Sequence, residues 1–462
     1  MLLRTKPIVI SQENPFANDQ LDLKDTAEAL KNFISSSQDP LVICIDAAWG
    51  QGKTTFLKMW KQLLRNDGFP VIYFNAWEND FTTDALVALI GELDAAIKEA
   101  VGKEHVIANQ HLEITKKIGS QLFKSSLPLT AQMLGCDLLN ASSEQSISSV
   151  SESIAREQIE KYEDAKKSLQ NFRENLKKLV SSVSTHLDPA EKPLIFIIDE
   201  LDRCRPNFAI EILEKAKHIF NVENIVFILG ADKRQLGSSV KTIYGEDLDV
   251  DGYLKRFIDF NYMLPEPEKG LFVKFLFKKH GFDNFFNSKV NANFQYEYNQ
   301  SIAFFSALFE LFKMTLHDQE QCCSILSAAI RVAQSNDKIF PIYLCFLIAL
   351  KVMKNEVYTS FVKDGLSPDD LINHVSKLTS GEDFLNTDFG AHLEFFIITS
   401  FLKTDIKNEL KKIEGRYQNN PKINKDRASK VIEKLNHAWQ DGGIGILHDL
   451  VRKIEIASRF GS

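Results

Sequence analysis

The stretch that most constrains this 462-residue chain is Ala47-Ala48-Trp49-Gly50-Gln51-Gly52-Lys53-Thr54-Thr55, set between an apolar run, Leu41 to Asp46, and a helical pattern, Thr54 to Arg65. Glycines at 50 and 52 let the backbone turn where a side chain would obstruct it. Lys53 and Thr54 then open a helix whose first amides point at whatever lies in the turn. The strand, loop and helix match a phosphate-binding loop with Ala47 in place of its first glycine, a position that turns the chain and does not touch phosphate. Such a loop needs a strand behind it that is covered by helices, so the rest of the sequence must supply a parallel sheet.

It does. Pro70 to Phe74, Pro193 to Asp199, Asn224 to Gly230 and Phe257 to Leu264 read as further strands. The runs at 41, 193 and 224 are nearly continuous in apolar residues, as expected of strands buried on both faces. Phe208 to Phe220 has helical spacing between them. The expected core is therefore residues 1–80 and 192–265. Residues 81–191 are too long for one crossover and are expected to be a helical insertion. Its second half carries a single apolar seam, Tyr162, Ala165, Leu169, Phe172, Leu176, Leu179 and Val183, which suits either packing within the domain or an intermolecular coiled coil. Its middle, Gly119 to Ser151, reads as a loosely specified connection. After Pro265 helix patterns dominate (271–279, 301–314, 319–332, 341–355 and 392–414), so 266–462 is expected to be an all-helical C-terminal domain. Asp369 and Asp370 after Ser367-Pro368 mark a helix start, and Gly381 and Gly442-Gly443 mark turns.

A phosphate loop requires a metal strand. Leu194 to Ile198 ends in Asp199-Glu200-Leu201-Asp202-Arg203. Asp199 is expected to hold magnesium together with Thr54, while Glu200, one residue on, orients and deprotonates an attacking water. Lys53 would sit between the β and γ phosphates of ATP, with Trp49, Gly50, Gln51, Gly52, Thr54 and Thr55 around the triphosphate. Asp232, at the tip of another core strand, is a candidate to sense the γ-phosphate. Arg203, Arg205, Lys255 and Arg256 are candidates for the cation that offsets transition-state charge, each with an alternative as a surface ion-pair partner.

Several further pieces carry a resemblance: Phe74-Asn75-Ala76-Trp77, Ile198-Asp199-Glu200-Leu201-Asp202-Arg203-Cys204, Phe227 to Asp232, and Tyr253-Leu254-Lys255-Arg256-Phe257 running into Leu264-Pro265. With the loop at 49–54 and Phe56-Leu57 they resemble the KAP family of P-loop NTPases, in order along residues 1–265 and more loosely beyond. The resemblance implies an ATPase of the STAND-like and AAA-like branch with Glu200 as catalytic base. It further implies a P-loop NTPase sheet and, by association, a bacterial antiviral defence setting with protein partners from the same operon. The family's usual arginine near Thr315 to Gln319 is His317 here, which argues against a cationic sensor at that point.

The remaining expectations come from composition. With 55 Lys+Arg against 62 Asp+Glu the net charge is −7, so nucleic acid is a disfavoured partner, although Lys403 to Lys434 is locally basic. The six cysteines form no CxxC pair and read as reduced thiols. No apolar run approaches the roughly 20 residues that span a bilayer, and a soluble, cytoplasmic protein is expected. A homo-oligomer is compatible with all of this.

Overall fold

The computed structural model describes residues 9–35, 37–82, 84–102, 105–125, 144–188, 191–266, 270–283, 294–332, 340–400, 411–415, 417, 424–441 and 446–459. The described residues of 8–19 and 23–265 form one compact unit, and those of 20–22 and 266–462 form another.

The first unit is an α/β sandwich. Its elements run α1 (Lys24–Ser35), β1 (Leu41–Asp46), α2 (Lys53–Asn66), β2 (Val71–Asn75), α3 (Ala85–Val101), α4 (Val106–Ser125), α5 (Glu144–Leu187) and β3 (Leu194–Asp199), then a 3₁₀ turn at Leu201–Arg203. There follow α6 (Pro206–His218), β4 (Ile225–Ala231), α7 (Lys233–Tyr244), α8 (Val250–Leu254) and β5 (Phe260–Met263). The five strands are all parallel in the order β2-β3-β4-β1-β5. Every residue of β3 and β4 is buried, which accounts for their unbroken apolar sequences. β5 is shorter than its apolar run suggests. Phe257 and Ile258 are buried in the turn after α8, where their amides bond to Leu254 O, and they do not join the ladder.

The insertion shares its apolar core with the sheet. Leu93 of α3, Leu112 of α4 and Phe172, Leu176, Leu179 and Val183 of α5 are buried in the same cluster as Phe196 and Phe227. Phe172 meets Phe220 edge to face at 5.6 Å. The seam is thus buried within the domain from Phe172 onward, whereas Tyr162 is exposed. The connection expected over Gly119 to Ser151 is narrower than its composition implied, because α4 continues to Ser125 and α5 begins at Glu144.

The second unit is helical: α9 (Leu271–His280), α10 (Phe294–Leu311), α11 (Leu316–Val332), α12 (Pro341–Met353), α13 (Asn355–Val362), α14 (Pro368–Ser376), α15 (Gly381–Leu385), α16 (Asp388–Thr399), α17 (Lys425–Asp441) and α18 (Leu447–Ser458). Ser367 caps α14 by accepting from the Asp370 amide, with Pro368 in the first turn. Gly381 opens a helix and does not mark a turn. A Cβ there would lie 2.0 Å from Val375 O, so the close approach excludes any side chain. The core holds a buried ionic network: Glu394 accepts from Arg427 Nε at 2.7 Å and Nη2 at 2.9 Å, and from the Tyr417 hydroxyl. Gly442-Gly443, and residues 403–410, 416 and 418–423 of the basic stretch Lys403 to Lys434, lie outside the described residues. Among the described residues no helix is long and apolar enough to cross a membrane.

Candidate functional site

Because the strands are parallel, their carboxyl ends lie on one edge of the sheet. Register places Asp46 beside Ala231 and Asn75 beside Asp199. Residues 46–54, 73–77, 199–203 and 230–232 therefore converge, which is where ligands bind in open parallel sheets.

The loop after β1 turns through Gly50 (φ 77°) and Gly52 (φ 83°), both in the left-handed region that glycine enters without strain. Gly52 is the N-cap of α2 and offers no side chain to its first amides. The helix start is thus arranged for an outside acceptor, and an anion suits it. Lys53 is buried, with its ammonium donating to Ala47 O at 2.9 Å and lying 4.0 Å from Asp202 Oδ2. The Trp49 indole N–H donates to that same Asp202 oxygen, although the Trp49 ring is about half exposed. Gln51, Thr54 and Thr55 are half-buried along the loop and first turn.

Asp199 ends β3 and is 0% exposed. Its Oδ1 accepts from the Glu200 amide at 2.8 Å and its Oδ2 from the Tyr73 hydroxyl at 2.7 Å. Burial, then the Asp199 charge, push the Tyr73 phenol far above its ordinary pKa, so it stays a donor. On β4, Gly230 leaves room for this carboxylate: a Cβ would come 2.9 Å from Asp199 Oδ1 and 2.4 Å from Leu57 Cδ1.

Glu200 leaves the sheet in the left-handed region, φ 59°, an unfavourable conformation for a residue with a Cβ. Its carboxylate is held from two sides. Asn75 Nδ2 donates to Oε2 at 3.2 Å, and Arg203 Nη1 pairs with Oε1 at 3.0 Å. The Arg203 guanidinium lies 5.8 Å from the centroid of the exposed Trp77 ring.

The remaining expected residues take other places. Arg205 clamps the segment after β2, bonding Asp80 Oδ1 at 2.9 Å and Thr82 O at 3.0 Å. Asp232 is buried at the right edge of the sheet, but its Oδ1 caps α7, accepting from Arg234 N at 3.0 Å and Gln235 N at 3.4 Å. Arg256 is placed away from the loop. It is exposed and precedes β5, whose start is marked by Asp259 N donating to Val42 O, so it lies at the amino end of the sheet, opposite Lys53. Lys255 shares that placement.

Four residues of the site were not singled out from the sequence: Tyr73, Gly230, Asn75, which entered only as part of a resembling segment, and Asp46, whose carboxylate accepts from Lys233 N at the start of α7 and from Asn261 Nδ2 of β5. A polar residue closing an apolar strand was the signal available for Asn75 and Asp46. Tyr73 reads as an ordinary strand aromatic. Among the described residues no group of three or more His, Cys, Asp or Glu is placed to hold a metal.

The fold and the loop define a P-loop NTPase domain. Residues 23–358 match the model of the KAP family P-loop domain, and the chain belongs to that family. None of the curated proteins matches it by sequence. Solved structures similar to it include two of the Aeropyrum pernix ORC2 protein. One holds ADPNP and ADP, with 12% identity, a TM-score of 0.32 and coverage of 96% of this chain and 95% of that one. The ADP form gives 12%, 0.31, 96% and 93%. A likeness this weak assigns no ligand to the present chain.

Proposed function

We propose that the chain binds ATP with magnesium and hydrolyses the β,γ bond, using the nucleotide state as a switch on its helical unit and its partners. The observation that carries this reading is the meeting of two distant segments: the glycine loop with buried Lys53, and the Asp199-Glu200 end of β3. The triphosphate would lie along the loop amides, with Lys53 on the β and γ phosphates. Thr54 and Asp199 are hard oxygen donors suited to magnesium, which usually keeps water and phosphate oxygens among its ligands and needs no all-protein cage. When bound, the ion would neutralise charge on the phosphate oxygens. Glu200 would take a proton from water as the new P–O bond forms and the bond to the bridging oxygen breaks, releasing ADP and phosphate.

A second reading, an ATP-holding scaffold with little turnover, is favoured by one observation: both Glu200 oxygens are already engaged, by Asn75 and Arg203. Phosphate release with and without partner extract separates the two. Lys53→Ala should abolish ATP binding. Glu200→Gln should retain ATP and lose about 10² to 10⁴ in turnover. Normal turnover in Glu200→Gln would remove Glu200 as the base, and wild-type protein that retains no ATP would reject the whole reading. The defence setting and the operon partners rest on family resemblance. Phage plating on cells carrying the locus with Lys53→Ala tests them.

A further inference from the structure

Lys53 is not poised over an open loop. Its ammonium is buried, turned back onto Ala47 O at 2.9 Å and 4.0 Å from Asp202 Oδ2. Asp202 is itself buried, and that same oxygen accepts the Trp49 indole N–H. One carboxylate oxygen thus holds two residues of the phosphate loop, one from each side of Gly50-Gln51-Gly52. The 3₁₀ turn at 201–203 fixes Asp202 in place, with Arg203 N and Cys204 N bonded to Glu200 O and Leu201 O.

We propose that Asp202 is a positioning residue that competes with the nucleotide for Lys53 and so sets the affinity of the loop for phosphate. This rests on the nucleotide reading above. A bound triphosphate must draw the ammonium away from Ala47 O and Asp202, and the freed carboxylate then stands close to several negative phosphate oxygens. Both effects oppose binding, and both act between buried groups, where the screening of an exposed pair is absent. Trp49 offsets part of the cost, since its N–H remains as a partner for Asp202 after Lys53 leaves. Asp202 therefore lies on the side of the nucleotide-free loop, in contrast to Asp199 and Glu200, which face the reaction.

The test is the ATP dissociation constant of the full chain, by equilibrium dialysis with magnesium, for wild type, Asp202→Asn, Asp202→Glu and Lys53→Ala. Asp202→Asn keeps an acceptor for Trp49 and removes the charge, so ATP should bind about tenfold tighter, while the melting temperature without nucleotide falls. Asp202→Glu keeps the charge and should return affinity toward the wild-type value. A merely structural role for Asp202 would weaken binding or leave it unchanged, and either result with Asp202→Asn overturns the proposal. Equal tightening in Asp202→Glu overturns it too, because charge would not be the cause. If Asp202→Asn fails to fold alone, preparation in excess ATP should restore it, and failure in both conditions counts against the proposal. Wild-type protein that binds no ATP is a distinct result, which rejects the function and not this competition.

Discussion

Removing the hydroxyl of Tyr73 is the sharpest single perturbation of the site. Asp199 is wholly buried and its charge is held by two hydrogen bonds, from Tyr73 at 2.7 Å and the Glu200 amide at 2.8 Å. Tyr73→Phe deletes one of them and leaves the ring packing intact. On the other side of the carboxylate β4 leaves little room, since even a Cβ at Gly230 would come 2.9 Å from Oδ1. A hydrogen bond to a buried charge contributes about 1.5–3 kcal/mol, so the unit should lose about 2 kcal/mol. That corresponds to a fall of about 4–8 °C in melting temperature for a domain of this size. The assay is urea denaturation of wild type, Tyr73→Phe, Asp199→Asn and the double variant. Asp199→Asn keeps one oxygen to accept from Tyr73 or from the Glu200 amide, without charge, so Tyr73→Phe should cost only about 1 kcal/mol in that background, a coupling of about 1 kcal/mol. A loss below about 0.5 kcal/mol in Tyr73→Phe, or no coupling, would refute the claim that this hydroxyl holds the carboxylate.

Two predictions concern the helical unit. Glu394→Gln leaves the buried Arg427 guanidinium without its main counter-charge, with only exposed Glu382 at 3.3 Å, and should cost about 3–5 kcal/mol by chemical denaturation. His392, stacked on Phe396 at 5.1 Å, is held neutral by burial and by Lys434, which lower its pKa from 6.5 to about 4. The unfolded chain binds the proton first as pH falls, so stability is full above about pH 6.5 and is lost between there and about 4, on the order of 3 kcal/mol. His392→Leu should flatten that part of the pH profile, and an unchanged profile would exclude His392 as the titrating group.

How much was legible in the sequence depends on what kind of signal each residue leaves. Four strands fall within one residue of their apolar runs: burial on both faces writes a continuous pattern for β1, β3 and β4, and Pro70 and Pro193 mark where β2 and β3 begin. β5 was overread because Phe257 and Ile258 are apolar for a different reason, the closing of a turn. The loop and the acidic strand end were readable because Gly50 and Gly52 mark a turn between a strand and a helix and Asp199 closes an unbroken apolar strand. Asp232 illustrates an ambiguity of chemistry: a carboxylate between a strand and a helix serves equally as a ligand or as a cap, and here Oδ1 caps. Arg256 reads as lying just before the last strand, and a residue before a parallel strand belongs to the amino end of the sheet, away from the loop. Tyr73 and Gly230 could not be found, because each acts across strands on Asp199, and pairing between strands leaves no local trace.

The strand order bears on how the chain is made. β1 and β2 are the first two strands synthesised, yet they are not neighbours: β2 pairs with β3 and β1 with β4 and β5. β1 gains both of its neighbours only after the ribosome has passed Met263, and β2, an edge strand, gains its single neighbour only with β3 at Asp199, waits on the order of ten seconds at usual elongation rates. During that interval two apolar segments are exposed with their backbone polar groups unpaired, so nascent chains halted within the insertion should be prone to aggregate and dependent on chaperones.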